Sequence, residues 1–240
     1  MIFSTILDVI YPEDVPWQRP DEWQQVLRQL PRTEQLALSG NITEDTILNG
    51  GRLDSDNMAD SRLRRWVERH LVRAAAFLWY EHDNITQKLI VRGKFTQSAD
   101  PEIFVRLARE AAYEMLTTDF LEEIDLIIPV PLHPKRLRER GFNQAEIIAN
   151  AISQVTNIPM NTTLLQRIRY NEHQANLKAE ARRVNSEKLF ELNHPEQLYH
   201  KHILLVDDVI TTGNTIRACF DALRAGRNCR ISVFALGKAR

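Results

Sequence analysis

The chain has 240 residues, 43% of them hydrophobic and 26% charged, an ordinary composition for a globular protein long enough to bury a core without covalent staples. A formal net charge of -1 argues against a chain-wide basic footprint for nucleic acid, though it leaves room for a local patch. Only two cysteines, Cys219 and Cys229, are present, which argues against a disulfide framework and a multi-cysteine zinc site.

In chain order, the start Met1-Ile2-Phe3-Ser4 has neither a basic run nor a small-residue cleavage site, so no signal peptide is read and the cytoplasm is the default compartment. Apolar runs stay shorter than the roughly 18 residues a membrane span needs, so no membrane partner is expected. Trp17, Trp23, Val26, Leu27 and Leu30 suggest a short helix over residues 20–30. Residues 39–60 are rich in Asn, Asp, Gly and Ser and favour loop. Residues 1–61 are therefore expected to form a small appendage or linker, and residues 62–240 the main domain.

Residues 62–80, with Leu63, Trp66, Leu71, Ala74, Ala75 and Phe77, mix helix and strand signals. Asp100-Pro101-Glu102 reads as a helix start, with Asp100 as N-cap, and Ile103, Phe104, Leu107, Ala108, Ala111 and Met115 follow at helical spacing. Strand and helix signals then alternate. Residues 126–130 predict a buried strand, 145–155 a helix, 203–206 a strand, 215–225 a helix stopped by Gly226, and 231–236 a strand. Shorter strand-like stretches occur at 164–168 and 188–192. This alternation predicts an α/β fold, with a mostly parallel central sheet flanked by helices and ligands bound at the carboxyl ends of the strands.

One segment carries recognisable chemistry. Residues 203–215 read ILLVDDVITTGNT. An apolar strand leads to two carboxylates, Asp207 and Asp208, expected where it stops. They can accept hydrogen bonds from a vicinal diol and lie close to a magnesium ion. The run Val209, Thr211, Thr212, Gly213, Asn214 and Thr215 then makes a small-residue turn into a helix, where unsatisfied N–H groups and threonine hydroxyls form a phosphate cradle.

ILLVDDVITTGNT resembles the phosphoribosyl pyrophosphate (PRPP) signature of type I phosphoribosyltransferases. Upstream, Pro129-Val130-Pro131-Leu132, Arg136 and Arg140-Gly141-Phe142-Asn143-Gln144-Ala145 resemble the ComF family within that fold, which includes GntX-type members. So do Arg167, Arg169, Gln174, Leu177, Arg182, Asn185 and Phe190 in their spacing, together with Tyr80 and Lys94. The likeness covers about residues 62–240 and implies the type I phosphoribosyltransferase fold. It implies Asp207 and Asp208 as the catalytic pair and a pyrophosphate loop of Leu132, His133, Lys135, Arg136 and Arg140. It also implies a hood lid carrying Arg167, Arg169, Gln174 and Arg182. Arginine's planar fork suits a diphosphate. Read alone, residues 135–140 also fit a solvated charged turn, with function favoured for Arg136 and Arg140.

The N-terminus departs from the family, whose members typically begin with a cysteine-rich zinc module. Tyr11-Pro12 and Pro16 resemble the lead into the first Cys-x-x-Cys, and Leu30-Pro31-Arg32-Thr33 the piece after the second. The expected ligand positions hold Val15, Gln18, Trp23 and Val26, which offer no thiolate or imidazole. His70 and His82 do not replace four ligands, so no zinc is expected.

Three functions follow. The first is an enzyme that takes PRPP with Mg2+ and transfers phosphoribosyl to an unidentified, commonly nitrogen, acceptor with release of pyrophosphate. The second is a non-catalytic PRPP- or nucleotide-binding protein in competence and DNA uptake. The third is direct binding of single-stranded DNA through residues 135–140, with Phe142 as the only nearby aromatic. A homo-oligomer is compatible with all three.

Overall fold

The structure, a computed structural model, describes residues 58–82, 85–95, 101–170 and 188–239. The mixed signal of residues 62–80 resolves into two abutting elements: helix α1 (Met58–His70), which ends on Arg69 and His70, and strand β1 (Leu71–Tyr80). The two basic side chains complement the negative pole of the helix. Helix α2 (Ile85–Phe95) follows, then α3 (Glu102–Leu116). Asp100, the expected N-cap of α3, lies outside the described residues. Pro101 takes the cap position without a side-chain bond, and its carbonyl accepts from Phe104 N at 3.0 Å.

Strand β2 (Leu126–Pro129), helices α4 (Pro134–Arg140) and α5 (Gln144–Thr156), and strands β3 (Leu165–Arg167) and β4 (Phe190–Leu192) come next. Strand β5 (His202–Ile210), helix α6 (Asn214–Leu223) and strand β6 (Arg230–Ala239) complete the described chain. The main sheet has the order β1-β6-β5-β2, with all three pairings parallel, and β3 and β4 form a separate antiparallel pair. The main sheet is thus the expected parallel α/β layer.

Both faces of this sheet are covered, as a parallel sheet requires. Ile203 and Leu205 on β5, with Ile231, Val233 and Ala235 on β6, pack in one cluster with Val67 of α1 and with Ile216, Cys219 and Phe220 of α6. The alternate residues Leu204, Val206, Phe234 and Leu236 join Ile90 of α2, Phe104 and Ala108 of α3 and Ile148 of α5 on the other face. The period-2 alternation of side chains therefore divides the core into two layers.

Gly93 on α2 allows an unusually close helix approach. A Cβ built there would lie 2.5 Å from Phe104 Cε2, and Phe104 is fully buried. Gly93→Ala should destabilise the fold by about 1–3 kcal/mol, the usual scale of overpacking. Chemical denaturation would check this. An unchanged midpoint would mean that the Phe104 ring can move aside.

His202 opens β5 at the amino edge of the sheet, away from the carboxyl ends. Its side chain is fully buried, with Nε2 3.0 Å from Ser232 Oγ, and its backbone N–H donates to Asp125 Oδ2 at 2.8 Å. Nδ1 is buried with no hydrogen-bond partner among the described residues. Burial foremost, then the charges of Arg230 and Arg73, hold its pKa down from 6.5 to about 4.

Candidate functional site

Strands β1, β6, β5 and β2 all run the same way, so Tyr80, Ala239, Ile210 and Pro129 end at one edge. This is the edge where parallel sheets bind ligands. Asp207 and Asp208 stand there half-buried. The strand does not stop at them as expected. Val209 and Ile210 keep their register with Gly237 and Lys238 on β6, which carries the ladder past the aspartates.

Strand geometry separates the two carboxylates, because successive side chains point to opposite faces. Asp207 shares the face of Leu205 and acts electrostatically on Arg167 of β3 and Cys219 of α6. Asp208 shares the face of Val206 and acts on Arg140 at the end of α4. Each also folds back to the chain: Asp207 Oδ1 accepts from Asp208 N at 2.9 Å, and Asp208 Oδ1 from Val209 N at 2.6 Å.

Beyond the strand, Thr211 and Thr212 are exposed and lead to Gly213, the N-cap of α6, at φ 78 and ψ -4. That left-handed conformation suits a residue without a Cβ. Glycine supplies no side-chain cap, so the first-turn N–H groups around Asn214 and Thr215 remain for an anion, and the helix dipole favours one. Val209 is half-buried and packs against the α2–α3–α5 layer.

The predicted pyrophosphate loop is a short, tightly fastened helix rather than a loose charged turn. His133 is the N-cap of α4, its Nδ1 accepting from Lys135 N at 3.2 Å. Pro134 occupies the first turn, and Gly141 ends the helix at φ 86. Asn143 then caps α5 and donates through Nδ2 to Val130 O at 3.1 Å, joining the two ends of the excursion at its base. Leu132 and Leu137 line a cavity of about 260 Å³ together with Pro131, Glu146, Leu165 and Arg167.

Three arginines come together here. Arg136 raises the local positive potential at both Arg140 and Arg167. Burial, first of all, pushes both guanidinium pKa values down, with Arg136 adding to it. Asp208 opposes the shift at Arg140, and Asp207 opposes it at Arg167. Both remain cations at neutral pH, because arginine does not deprotonate in proteins. The guanidinium of Arg167 also lies 5.5 Å from the Phe190 ring centroid, and its Nε donates to the carbonyl of Arg169 at 3.3 Å. Gln174 and Arg182, the other expected lid residues, lie outside the described residues. Lys94 lies on α2.

Two side chains near the site were given no site role of their own from the sequence, although Gln144 stands in the motif of residues 140–145. The Tyr170 ring lies 4.3 Å from Lys135 Nζ and 5.2 Å from the His133 ring. A contact between residues so far apart in the chain leaves no periodic trace. Gln144 had a signal: it lies four residues before Ile148, in phase with the apolar face of α5, and it is 2% exposed.

The sequence model of the phosphoribosyl transferase domain matches residues 99–238. The chain is 33% identical over 153 residues to Competence protein F of Haemophilus influenzae, covering 63% of this chain and 67% of the relative. It is 31% identical over 151 residues to DNA utilization protein YhgH of Escherichia coli K12, covering 62% and 65%. To Competence protein ComFC of Bacillus subtilis it is 25% identical over 158 residues, covering 65% and 61%. The matched part thus spans about two thirds of these relatives. A solved structure of the allosteric regulatory enzyme of purine biosynthesis superposes with a TM-score of 0.40 at 19% identity, over 63% of this chain and 30% of that one.

Proposed function

From the premise that this chain belongs to the ComF-like branch of the phosphoribosyl transferase domain family, we propose that it binds PRPP and transfers its phosphoribosyl group to a nitrogen acceptor, releasing pyrophosphate. The observation that carries this reading is that Arg140 lies within electrostatic reach of Asp208 and Arg167 of Asp207, with Arg136 near both arginines, beside the start of α6, which no side chain caps.

Each part has a chemical use. The α6 turn, with Thr211, Thr212 and Thr215, receives the 5-phosphate. The aspartates accept from the ribose hydroxyls, and carboxylate oxygens at a strand end also suit Mg2+, a hard cation. Bound with PRPP, that ion would neutralise diphosphate charge. The arginines face the diphosphate. As the C1–O bond breaks, its electron pair leaves with pyrophosphate. Fixed guanidinium groups stabilise that growing charge, while the aspartates favour the positive charge developing on the ring. The acceptor nitrogen then bonds to C1 and loses its proton.

Incubation with PRPP, Mg2+ and a panel of nitrogenous bases and amines should release pyrophosphate with at least one acceptor. Arg136→Ala should lower that rate by about tenfold or more, as loss of a charge-stabilising donor does. PRPP binding without pyrophosphate release across the panel would instead favour a second reading, a non-catalytic binding role, placed in DNA handling because the relatives are named a competence protein and a DNA utilization protein.

A further inference from the structure

We infer that Gln144 is the positioning residue for Arg140, and through it for the diphosphate end of the bound sugar phosphate; this rests on the function proposed above. Its side chain is almost wholly enclosed, at 2% exposure, and Oε1 accepts from Arg140 Nη1 at 2.8 Å. The spacing is i to i+4, yet this is not a contact along one helix. Helix α4 ends at Arg140, Gly141 turns the chain at φ 86, and α5 begins at Gln144. The bond therefore bridges a break and fixes the guanidinium relative to α5. Asn143 in turn ties the start of α5 to Val130, at the end of β2. Arg140 is thus referenced to the same sheet edge that carries Asp208, which lies within its electrostatic reach.

The orientation of the amide is determined. A guanidinium only donates, so the carbonyl end of Gln144 must face it and Nε2 must face away. Nε2 is buried there with no acceptor among the described residues. An unsatisfied buried donor costs stability, whereas an apolar side chain of the same length would not incur that cost. Gln144 is therefore a poor choice for the fold and a good one for the arginine. What it provides is a guanidinium held in place before the ligand arrives, so less side-chain freedom is lost on binding.

The experiment is a double-mutant cycle on the full chain, with magnesium pyrophosphate as the calorimetric probe. Gln144→Met removes the acceptor and the orphaned donor together. It should weaken pyrophosphate binding about tenfold, the scale of one lost orienting contact. The melting temperature of the free protein should stay level or rise. Arg140→Ala should weaken binding further, and adding Gln144→Met to it should cost nothing more, because the only group Gln144 serves is gone. Three results would overturn the inference: wild-type affinity in Gln144→Met, a lower melting temperature in that variant, or an undiminished loss on the Arg140→Ala background. Wild-type binding is a separate arm. If the unaltered protein binds neither pyrophosphate nor PRPP, the proposed function fails along with this inference; if it binds both, only the role of Gln144 is being tested.

Discussion

With PRPP and Mg2+ at roughly a hundredfold excess over the dissociation constant, the melting temperature should rise by roughly 5–10 °C, and replacing Asp207 and Asp208 together with alanine should abolish the rise. At that excess, a ligand that binds only the folded state adds about 2.7 kcal/mol, and a chain of this size gains about 2–4 °C per kcal/mol. The double variant has a second signature. In the wild-type site Asp208 and Asp207 offset the charge of Arg140 and Arg167. Without them, the arginines present a stronger positive field. Pyrophosphate without Mg2+ should then bind as well as to the wild type, or better, even though PRPP with Mg2+ is lost. Loss of both would mean that the site had collapsed rather than lost its ribose and metal contacts. An unchanged response to PRPP would remove the aspartates from the site.

Between pH 6.5 and about 4, His202 should make the fold less stable as acid is added. Its pKa is depressed in the folded state, so above 6.5 the ring is neutral in both folded and unfolded chains and contributes no pH dependence. Below that value the unfolded chain takes up a proton that the folded chain refuses. Stability falls until the folded form protonates near pH 4. The full loss is up to about 3 kcal/mol, at 1.36 kcal/mol per pH unit. Carboxylates titrate in the same range, so the measurement is a comparison. His202→Gln can still reach the Ser232 hydroxyl but cannot titrate, and its stability should fall less steeply over this window. Parallel slopes for the two proteins would show that His202 is already protonated in the native state or finds a partner for its second nitrogen.

Strong periodicity made most of the fold legible. The apolar strands β2, β5 and β6, the amphipathic helices α3, α5 and α6, and the turn from Thr211 into α6 all follow from local patterns, though β5 runs on past Asp207 and Asp208 to Ile210. Sequence left the order of the strands open, because β1, β5 and β6 are similarly apolar and nothing local says that β6 lies between the other two. Helix α2 was hidden, since its sequence ITQKLIVRGKF has little amphipathic contrast and a glycine near its end. At the site, residue types near the loop and the strand were readable. Their pairing was not: Asp208 with Arg140, Asp207 with Arg167 and Lys135 with Tyr170 join residues 35 or more positions apart, where spacing carries no information. Gln144 lies just outside the helix expected over residues 145–155, and its buried amide nitrogen depends on side-chain positions that no periodicity encodes.

The place of β6 in the sheet has a consequence for how the molecule is made. Among the described residues β1 pairs only with β6, and β6 is also the partner of β5. A ribosome delivers β1 long before residues 230–239, so the nascent chain carries an apolar strand whose partner has not been synthesised. β2 and β5 can pair earlier, but the edge meant for β6 stays open. Loop closure over that separation slows folding, and open strand edges invite association with other chains. Until β6 emerges from the exit tunnel, synthesis thus passes through an interval in which this protein has most to gain from a chaperone.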